Sequence, residues 1–330
     1  MGVVDANSDS PGGHPSGPCI PQHVGQRIGI LGATSLVGNH LLPLLAKAGV
    51  QVTAFSRTPE TARQRLVVDG ASVTWQRLAL AGNAGGVAGS DANVPAPSDT
   101  CRIAGWVCLA PVWVLPDYFD LLQVHGAQRV VVLSSTSVFA KQDSDDRQEQ
   151  ATARRLARAE EQVCAWARRH AVQWVILRPT LIYGAGQDKN ISEIARIIRR
   201  FGFFPVLGRA SGKRQPIHAA DVASACMAAL QRPAAANQAY NISGGETLPY
   251  CNMVTRVFEA LGRRPRFLMV PLWAFRLAVV LLRALPRYRQ WSAAMAQRMG
   301  RDLVFDHADA ARDLGFKPRP FLLTGKDLPH

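Results

Sequence analysis

The chain lacks the marks of several protein classes. Its six cysteines (19, 101, 108, 164, 226 and 251) are scattered, with no CxxC pair. That spacing gives neither a disulfide framework nor a zinc site, and no metal is expected; it points to reduced thiols in a cytoplasmic protein. Residues 1–25 are rich in Gly, Pro and Ser and hold no apolar core of a secretory signal, so they are expected to form a flexible tail. There is no internal repeat. Acid is scarce: 24 Asp and Glu stand against 38 Lys and Arg, a formal charge of +14. The deficit is sharpest from Arg263 to Arg301, with nine arginines and no acid. Such an excess suits an anionic partner, whether a phosphate-bearing cofactor, a nucleotide-linked substrate, a membrane surface or nucleic acid. A solvated basic face is the plain alternative.

What remains is an ordinary globular composition. The 330 residues are 48 % hydrophobic, enough for a large core in one elaborated domain or two smaller ones. Arg27 to Leu31 reads as a short buried strand, 32–38 as a turn, and Leu36 to Lys47 as a helix that Pro43 would kink and Gly49 ends. Strands follow at 50–55, 71–75, 103–109, 129–133 and 174–177. Helices fall at 59–67, 116–124 and about 149–169, and residues 81–100 read as a surface loop. Beyond residue 180 the pattern loosens, with helices expected at 191–201, 219–231, 250–261 and 272–285 and strands near 214–217 and 239–242. The early alternation predicts an α/β fold with a doubly wound parallel sheet. The expected division is 26–185 for the parallel-sheet domain and 186–330 for a smaller mixed lobe, the sheet taking back part of 213–245.

Between the first strand and first helix lies Gly32-Ala33-Thr34-Ser35-Leu36-Val37-Gly38. In that context the first glycine permits a tight turn and the last permits close helix packing. The helix N-terminus then offers N–H groups to a pyrophosphate. The second strand ends in Ser56-Arg57, where an NAD site usually carries an acid for the ribose hydroxyls. Arg57 can instead pair with a 2′-phosphate, so NADP(H) is favoured over NAD(H); an exposed surface arginine is the alternative.

Six motifs then occur in order: GATSLVG at 32–38, LAP at 109–111, VVVLSSTSVF at 130–139, ILRPTLIYG at 176–184, QPIHAADVA at 215–223 and YNISGGETLPY at 240–250. Together they resemble the extended or atypical short-chain dehydrogenase/reductase superfamily, the NAD-dependent epimerase/dehydratase group, over about residues 27–320. The resemblance implies that Gly32, Thr34, Ser35, Leu36, Val37 and Gly38 form the pyrophosphate loop. Leu109, Ala110 and Pro111 would line the cofactor. Ser134 and Ser135 would close the fifth strand beside the nicotinamide, and Pro179 and Thr180 would flank its carboxamide. Ser135 matches the family's catalytic Ser/Thr, which hydrogen-bonds the reacting oxygen. Arg214 and His218 lie where the family faces nucleotide-linked substrates, although a strand start and a helix N-cap account for them equally well.

Departures from the family accompany these matches. Ser35 replaces the middle glycine, tolerable if its hydroxyl donates to phosphate. Gln76-Arg77-Leu78 replaces an acid expected near the adenine. The family's engine is a Tyr with a Lys four residues on, the Lys lowering the phenol's pKa. Here the fourth residues after the five tyrosines are Leu122, Gln187, Gly244, Val254 and Ser292. Counting back from Arg178 puts the pair near Ala153 and Ala157. The replacements open to the chain are Tyr183, Arg154, Arg155, Arg158 and Ser135. Arginine cannot serve as a base, and Tyr183 is as well explained by packing.

The run 271–285 carries Arg276 and Arg283 on one helical face and an apolar stripe through Trp273, Leu277, Val280, Leu281 and Ala284. It is too short and too basic to span a bilayer. It reads as a core helix or dimer contact, or as an interfacial helix that brings 271–301 to anionic lipid; a homodimer is left open. No nucleic-acid module is present and none is expected as a partner. The sequence reading is therefore an NAD(P)-dependent oxidoreductase or epimerase acting on a small, phosphate-bearing substrate: a nucleotide- or lipid-linked sugar or related carbonyl. The alternative is a non-catalytic NADP(H)-binding scaffold or redox-sensing subunit. Either would be cytoplasmic, at the membrane periphery if 271–301 touches lipid.

Overall fold

The computed structural model describes residues 27–65, 73–78, 102–208, 210–271 and 299–329. The expected tail at 1–25, the loop at 81–100 and the helix at 272–285 lie outside them.

A seven-stranded sheet forms the centre. Its strands are β1 (Arg27–Leu31), β2 (Gln51–Ser56), β3 (Val73–Arg77), β4 (Gly105–Cys108), β5 (Arg129–Leu133), β6 (Gln173–Pro179) and β11 (Gln238–Ile242), in spatial order β11-β6-β5-β4-β1-β2-β3. Every pairing is parallel. This is a Rossmann-type, doubly wound α/β sheet, and the order of the strands reverses between β1 and β4. Strands buried on both faces read as continuous apolar runs. All five residues of β5, Arg-Val-Val-Val-Leu, are buried, each valine contributing about 2 kcal/mol.

Helices cover both faces. On one side α1 (Gly38–Lys47) and α7 (Ala219–Gln231) pack over β1, β4 and β5 through Leu41, Leu42, Leu45, Val222 and Cys226. α1 runs through Pro43, which costs it one backbone hydrogen bond. α2 (Pro59–Arg65) links β2 to β3. On the other side a 3-10 turn (Val112–Tyr118), α3 (Phe119–Val124) and α5 (Arg147–Arg169) bury Leu115, Leu122, Leu156 and Val163. The expected helix at 116–124 thus divides at Tyr118, where the tighter turn containing Pro116 ends. Asp146 starts α5 by accepting from the Gln148 N–H at 2.8 Å, and the helix then runs 23 residues. α4 (Ser137–Ala140), a single turn after β5, was not anticipated.

β11 pairs with β6 and α7 packs beneath it, so 219–242 belongs to the sheet layer. The smaller lobe is built from α6 (Ile191–Phe201), α8 (Tyr250–Ala260) and short two-stranded pairs. These pairs are β7 (Ile182–Tyr183) with β10 (Ile217–His218), β8 (Phe204–Leu207) with β13 (Phe267–Val270), and β9 (Lys213–Arg214) with β12 (Leu248–Pro249). Its core gathers Ile194, Ile198, Met253, Val257 and Phe258 around Tyr183 and Phe321. After α9 (Ala308–Leu314), residues 316–328 return across both layers. Among the described residues no helix is long and apolar enough to cross a membrane.

Candidate functional site

In an open parallel sheet a ligand crevice opens at the carboxyl ends of the strands where the strand order reverses. A cleft of about 670 Å³ lies there. Its walls are the turn after β1 (Ser35, Leu36, Val37), the segment after β4 (Leu109, Ala110, Pro111), the end of β5 (Leu133 to Ser137) and the end of β6 (Pro179 to Ile182). Ala140, Lys141, residues 187–190, Arg214, Gln215 and Leu303 complete it.

The first turn is shaped by its glycines. Gly32 has φ +79°, and a Cβ there would sit 2.6 Å from the Ala110 nitrogen. Only glycine lets this turn lie against the segment after β4. At Gly38 a Cβ would be 2.0 Å from the Ala33 carbonyl oxygen, so this glycine folds the helix start onto its own turn. Ser35 Oγ accepts from the Gly38 N–H at 3.2 Å. The Ser35 hydroxyl therefore serves the helix start as an acceptor and keeps its O–H to give.

The far wall is braced by hydrogen bonds between strand ends. Thr136 donates to the Pro179 carbonyl from its N–H (3.1 Å) and its hydroxyl (3.2 Å). Thr180 Oγ1 donates to the Gln215 carbonyl at 2.5 Å. Ser134 donates its hydroxyl to Glu160, which also takes Arg178 Nε at 3.1 Å on both carboxylate oxygens. Ser134 thus lines the cleft while its proton is committed to a buried carboxylate. Ser135 is half-buried, and its Oγ accepts from the Ser137 N–H at 3.1 Å, which leaves its O–H to donate. Asp188 is buried and spent on α6: Oδ1 accepts from the Asn190 and Ser192 N–H groups and Oδ2 from the Ser192 hydroxyl. Cys108, at the end of β4, is no nucleophile, because burial pushes its thiol up to about 12.

The cleft brings together Ser35, Leu36, Val37, Leu109, Ala110, Pro111, Ser134, Ser135, Pro179, Thr180 and Arg214 from the residues singled out in the sequence. Gly32, Thr34 and Gly38 belong to the same turn without lining it. Ser56 and Arg57 stand apart at the end of β2, which runs beside β1 in register Leu31 to Phe55. Ser56 Oγ accepts from the Thr58 N–H at 3.2 Å, and Arg57 is exposed. Arg77, level with Ser56 on β3, is paired with Glu60 at 2.7 Å.

Two expectations are corrected. Tyr183, offered as a catalytic residue, is fully buried in the smaller lobe, edge-on to Phe321 and His218. Its hydroxyl donates to the Leu322 carbonyl at 3.3 Å, and burial pushes the phenol up to about 12, so it exchanges no proton near neutrality. His218, offered as substrate-binding, is buried outside the cleft. Its Nδ1 accepts from the Ala220 N–H at 3.1 Å, capping α7, and its Nε2 lies 3.1 Å from Asp327. The arginine replacements do not enter either: Arg154, Arg155 and Arg158 are exposed on α5, with Arg155 over the Trp113 ring at 4.5 Å.

The sequence reading missed Lys141 and Lys189. Lys141 closes α4, six residues beyond Ser135 and just past the end of the VVVLSSTSVF motif, and it is half-buried. Lys189 is exposed, at the approach to α6. No motif marks either one. Among the lining residues they are the titratable side chains besides the committed Asp188 and Arg214. Arg214 is buried, donating from one guanidinium nitrogen to the Lys213 and Arg301 carbonyls at 2.8 Å each.

Comparison with known proteins adds to this geometry. Residues 28–243 match the profile of the NAD dependent epimerase/dehydratase family. The chain is similar to a UDP-glucose 4-epimerase of Vibrio cholerae, 26 % identical over 167 residues, covering 51 % of this chain and 48 % of the relative. It is also similar to mitochondrial NADH dehydrogenase [ubiquinone] 1 alpha subcomplex subunit 9 of Dictyostelium discoideum, 22 % identical over 250 residues, 71 % of this chain and 64 % of the relative. The match thus spans about half the length of the first curated relative. Among solved structures, UDP-glucuronic acid 4-epimerase from Bacillus cereus in complex with NAD shares the fold with a TM-score of 0.64 at 15 % identity, over 92 % of this chain and 95 % of that one. UDP-glucose 4-epimerase of Thermotoga maritima with UDP-glucose gives 0.61 at 14 % identity, over 89 % and 94 %.

Proposed function

The chain belongs to the NAD-dependent epimerase/dehydratase family, and on that premise we propose that its cleft binds a nicotinamide dinucleotide, NADP(H) ahead of NAD(H), and works as an oxidoreductase or epimerase on a small phosphate-bearing sugar or carbonyl. The observation that carries this reading is the cleft itself, which draws the glycine turn and the ends of β1, β4, β5 and β6 into one volume.

The residues present fit such a cofactor. The bare Cα of Gly32 keeps the turn against Ala110, and a side chain would fill that approach. Ser35, Leu36 and Val37 present the start of α1, where N–H groups and the helix dipole favour pyrophosphate. Arg57 at the end of β2 suits a 2′-phosphate and underlies the preference for NADP(H). When bound, the cofactor supplies hydride transfer. The chain's part is to hold and polarise. Ser135 donates its O–H to the reacting oxygen of the substrate. Lys141 places a cation on the same wall and is the group we assign to stabilising charge, or supplying the proton, at that oxygen. Arg214 and Lys189 bring positive charge to a substrate phosphate.

A second reading is a scaffold that keeps the cofactor without turnover. It is favoured by one observation: no residue of α5 lines the cleft, so that helix brings no proton-transferring group to it. Fold alone does not separate the two readings. Fluorescence titration with NADPH and NADH, followed by a panel of nucleotide sugars and carbonyls, does. The enzyme reading expects NADPH to bind more tightly than NADH, this preference to fall in Arg57→Ala, and at least one panel member to be converted. NADPH binding with no conversion of any member supports the scaffold. Failure to bind either nucleotide overturns both.

A further inference from the structure

Away from the cleft, one end of the smaller lobe exposes large apolar side chains among unpaired cations. Phe201, at the end of α6, is 55 % exposed; Leu268 and Met269, on β13, are 50 % and 61 % exposed. They lie along one edge of the lobe. β13 pairs with β8, placing Leu268 opposite Pro205 and Met269 opposite Val206, and β8 begins three residues after Phe201. The Phe204 N–H donates to the Arg266 carbonyl at 2.9 Å, and Arg263 donates to the Ile198 carbonyl at 2.7 Å, tying the loop before β13 to the last turn of α6. Successive side chains of a strand point to opposite faces, so the exposure of both Leu268 and Met269 leaves this small sheet open on two sides.

The charge around the patch has one sign. Residues 196–207 and 260–271 contain six arginines and no acid. Arg196 is paired with Glu193, Arg199 with the Pro329 carbonyl, and Arg263 with α6. Arg200, Arg264 and Arg266 are exposed and have no carboxylate partner among the described residues, Arg200 lying over the Phe201 ring at 5.2 Å. The nearest acid on these elements is Glu259, in the last turn of α8.

We propose that this patch, formed by Phe201, Leu268, Met269, Arg200, Arg264 and Arg266, is a docking surface for an anionic lipid bilayer. Aliphatic and aromatic side chains enter the boundary between headgroups and acyl chains, while guanidinium groups stay at the phosphates. Nucleic acid offers no apolar phase to Leu268 and Met269, and base stacking asks for aromatic platforms. A protein partner requires matching relief; a bilayer accepts an open edge of this composition. In the sequence, β13 is followed directly by the apolar run 271–285 with Arg276 and Arg283, which extends the same composition. The surface itself stands on the described residues and lies outside the cofactor cleft.

The test is co-sedimentation of the full chain with vesicles of phosphatidylcholine alone and of phosphatidylcholine mixed with phosphatidylserine, at low and high salt. Two variants accompany it: Phe201→Ser/Leu268→Ser/Met269→Ser and Arg200→Gln/Arg264→Gln/Arg266→Gln. All six side chains are exposed, and thermal unfolding checks that both variants keep the fold. The expected result is binding to the anionic vesicles only, weakened by salt and at least tenfold weaker in each variant. Absence of binding by the parent chain overturns the proposal. So does binding that both variants retain, which would move the contact elsewhere on the chain. A concentration-dependent dimer dispersed by the apolar variant would mean that a second copy covers the patch, and would also overturn it.

Discussion

Arg178 of β6 grips Glu160 of α5, its Nε 3.1 Å from each carboxylate oxygen, with both side chains largely withdrawn from water. Ser134 at the end of β5 donates to the same carboxylate. One acid thus joins two strand ends to the long helix beside the cleft. Removing one partner of a buried pair strands the other charge. Glu160→Ala should therefore cost about 3 kcal/mol or more of stability, read by urea unfolding. A cost below about 1 kcal/mol, the range of a surface pair, would show the carboxylate to be dispensable.

Tyr183→Phe separates packing from catalysis. The variant loses one 3.3 Å hydrogen bond to the Leu322 carbonyl, worth about 1 kcal/mol. Nucleotide binding and any turnover should be unchanged, and no activity should titrate with this phenol near neutral pH, since burial holds it at about 12. A large fall in turnover with intact stability would restore Tyr183 to the site.

Ser135→Ala and Lys141→Met should act on chemistry. Both residues line the cleft from the end of β5 and α4. Each substitution is expected to lower kcat about a hundredfold, with nucleotide affinity changed less than about threefold. The measurement is steady-state kinetics on whichever substrate the panel identifies. Equal losses in affinity and kcat would make these residues binding groups only.

Stability should fall on the acid side, in part through His40. Burial, then the charges of His218 and Arg319, hold its pKa below the ordinary 6.5. Below that value the unfolded chain takes up a proton that the folded chain resists, so this contribution is complete above about pH 6.5 and declines as pH falls through the window beneath it. Asp327 adds a decline at lower pH: burial raises its pKa, but bonds from Thr324 and His218 outweigh this and leave it lowered. His40→Leu should flatten the slope between about pH 7 and about pH 5.5. An unchanged slope in the urea midpoint would assign the acid sensitivity elsewhere.

Local pattern carried much of the fold. The apolar run at Arg129–Leu133 and the amphipathic period at Ile191–Phe201 and Ala219–Gln231 gave those elements their observed bounds. Strand partners were less legible, because the pairing of β11 with β6 joins residues about sixty positions apart. The glycine turn could be read because its constraints are largely local: Gly32 takes φ +79°, and a Cβ at Gly38 would strike the carbonyl of Ala33, five residues back. Tyr183 and His218 misled because what buries them comes from the far end of the chain: Phe321, Leu322 and Asp327. Lys141 was missed for the converse reason. The short helix α4 carries it into the cleft, and no periodic signal announces a single turn.

The most direct test of the account is calorimetric titration of the parent chain and of Gly32→Val with NADPH. Gly32 touches no reacting atom, yet a side chain there would collide with the Ala110 backbone at the floor of the turn. The account predicts saturable binding by the parent and at least tenfold weaker binding by the variant, with the variant still folded by circular dichroism. Equal binding by both proteins, or none by the parent with NADPH or NADH, would contradict a dinucleotide site at this turn.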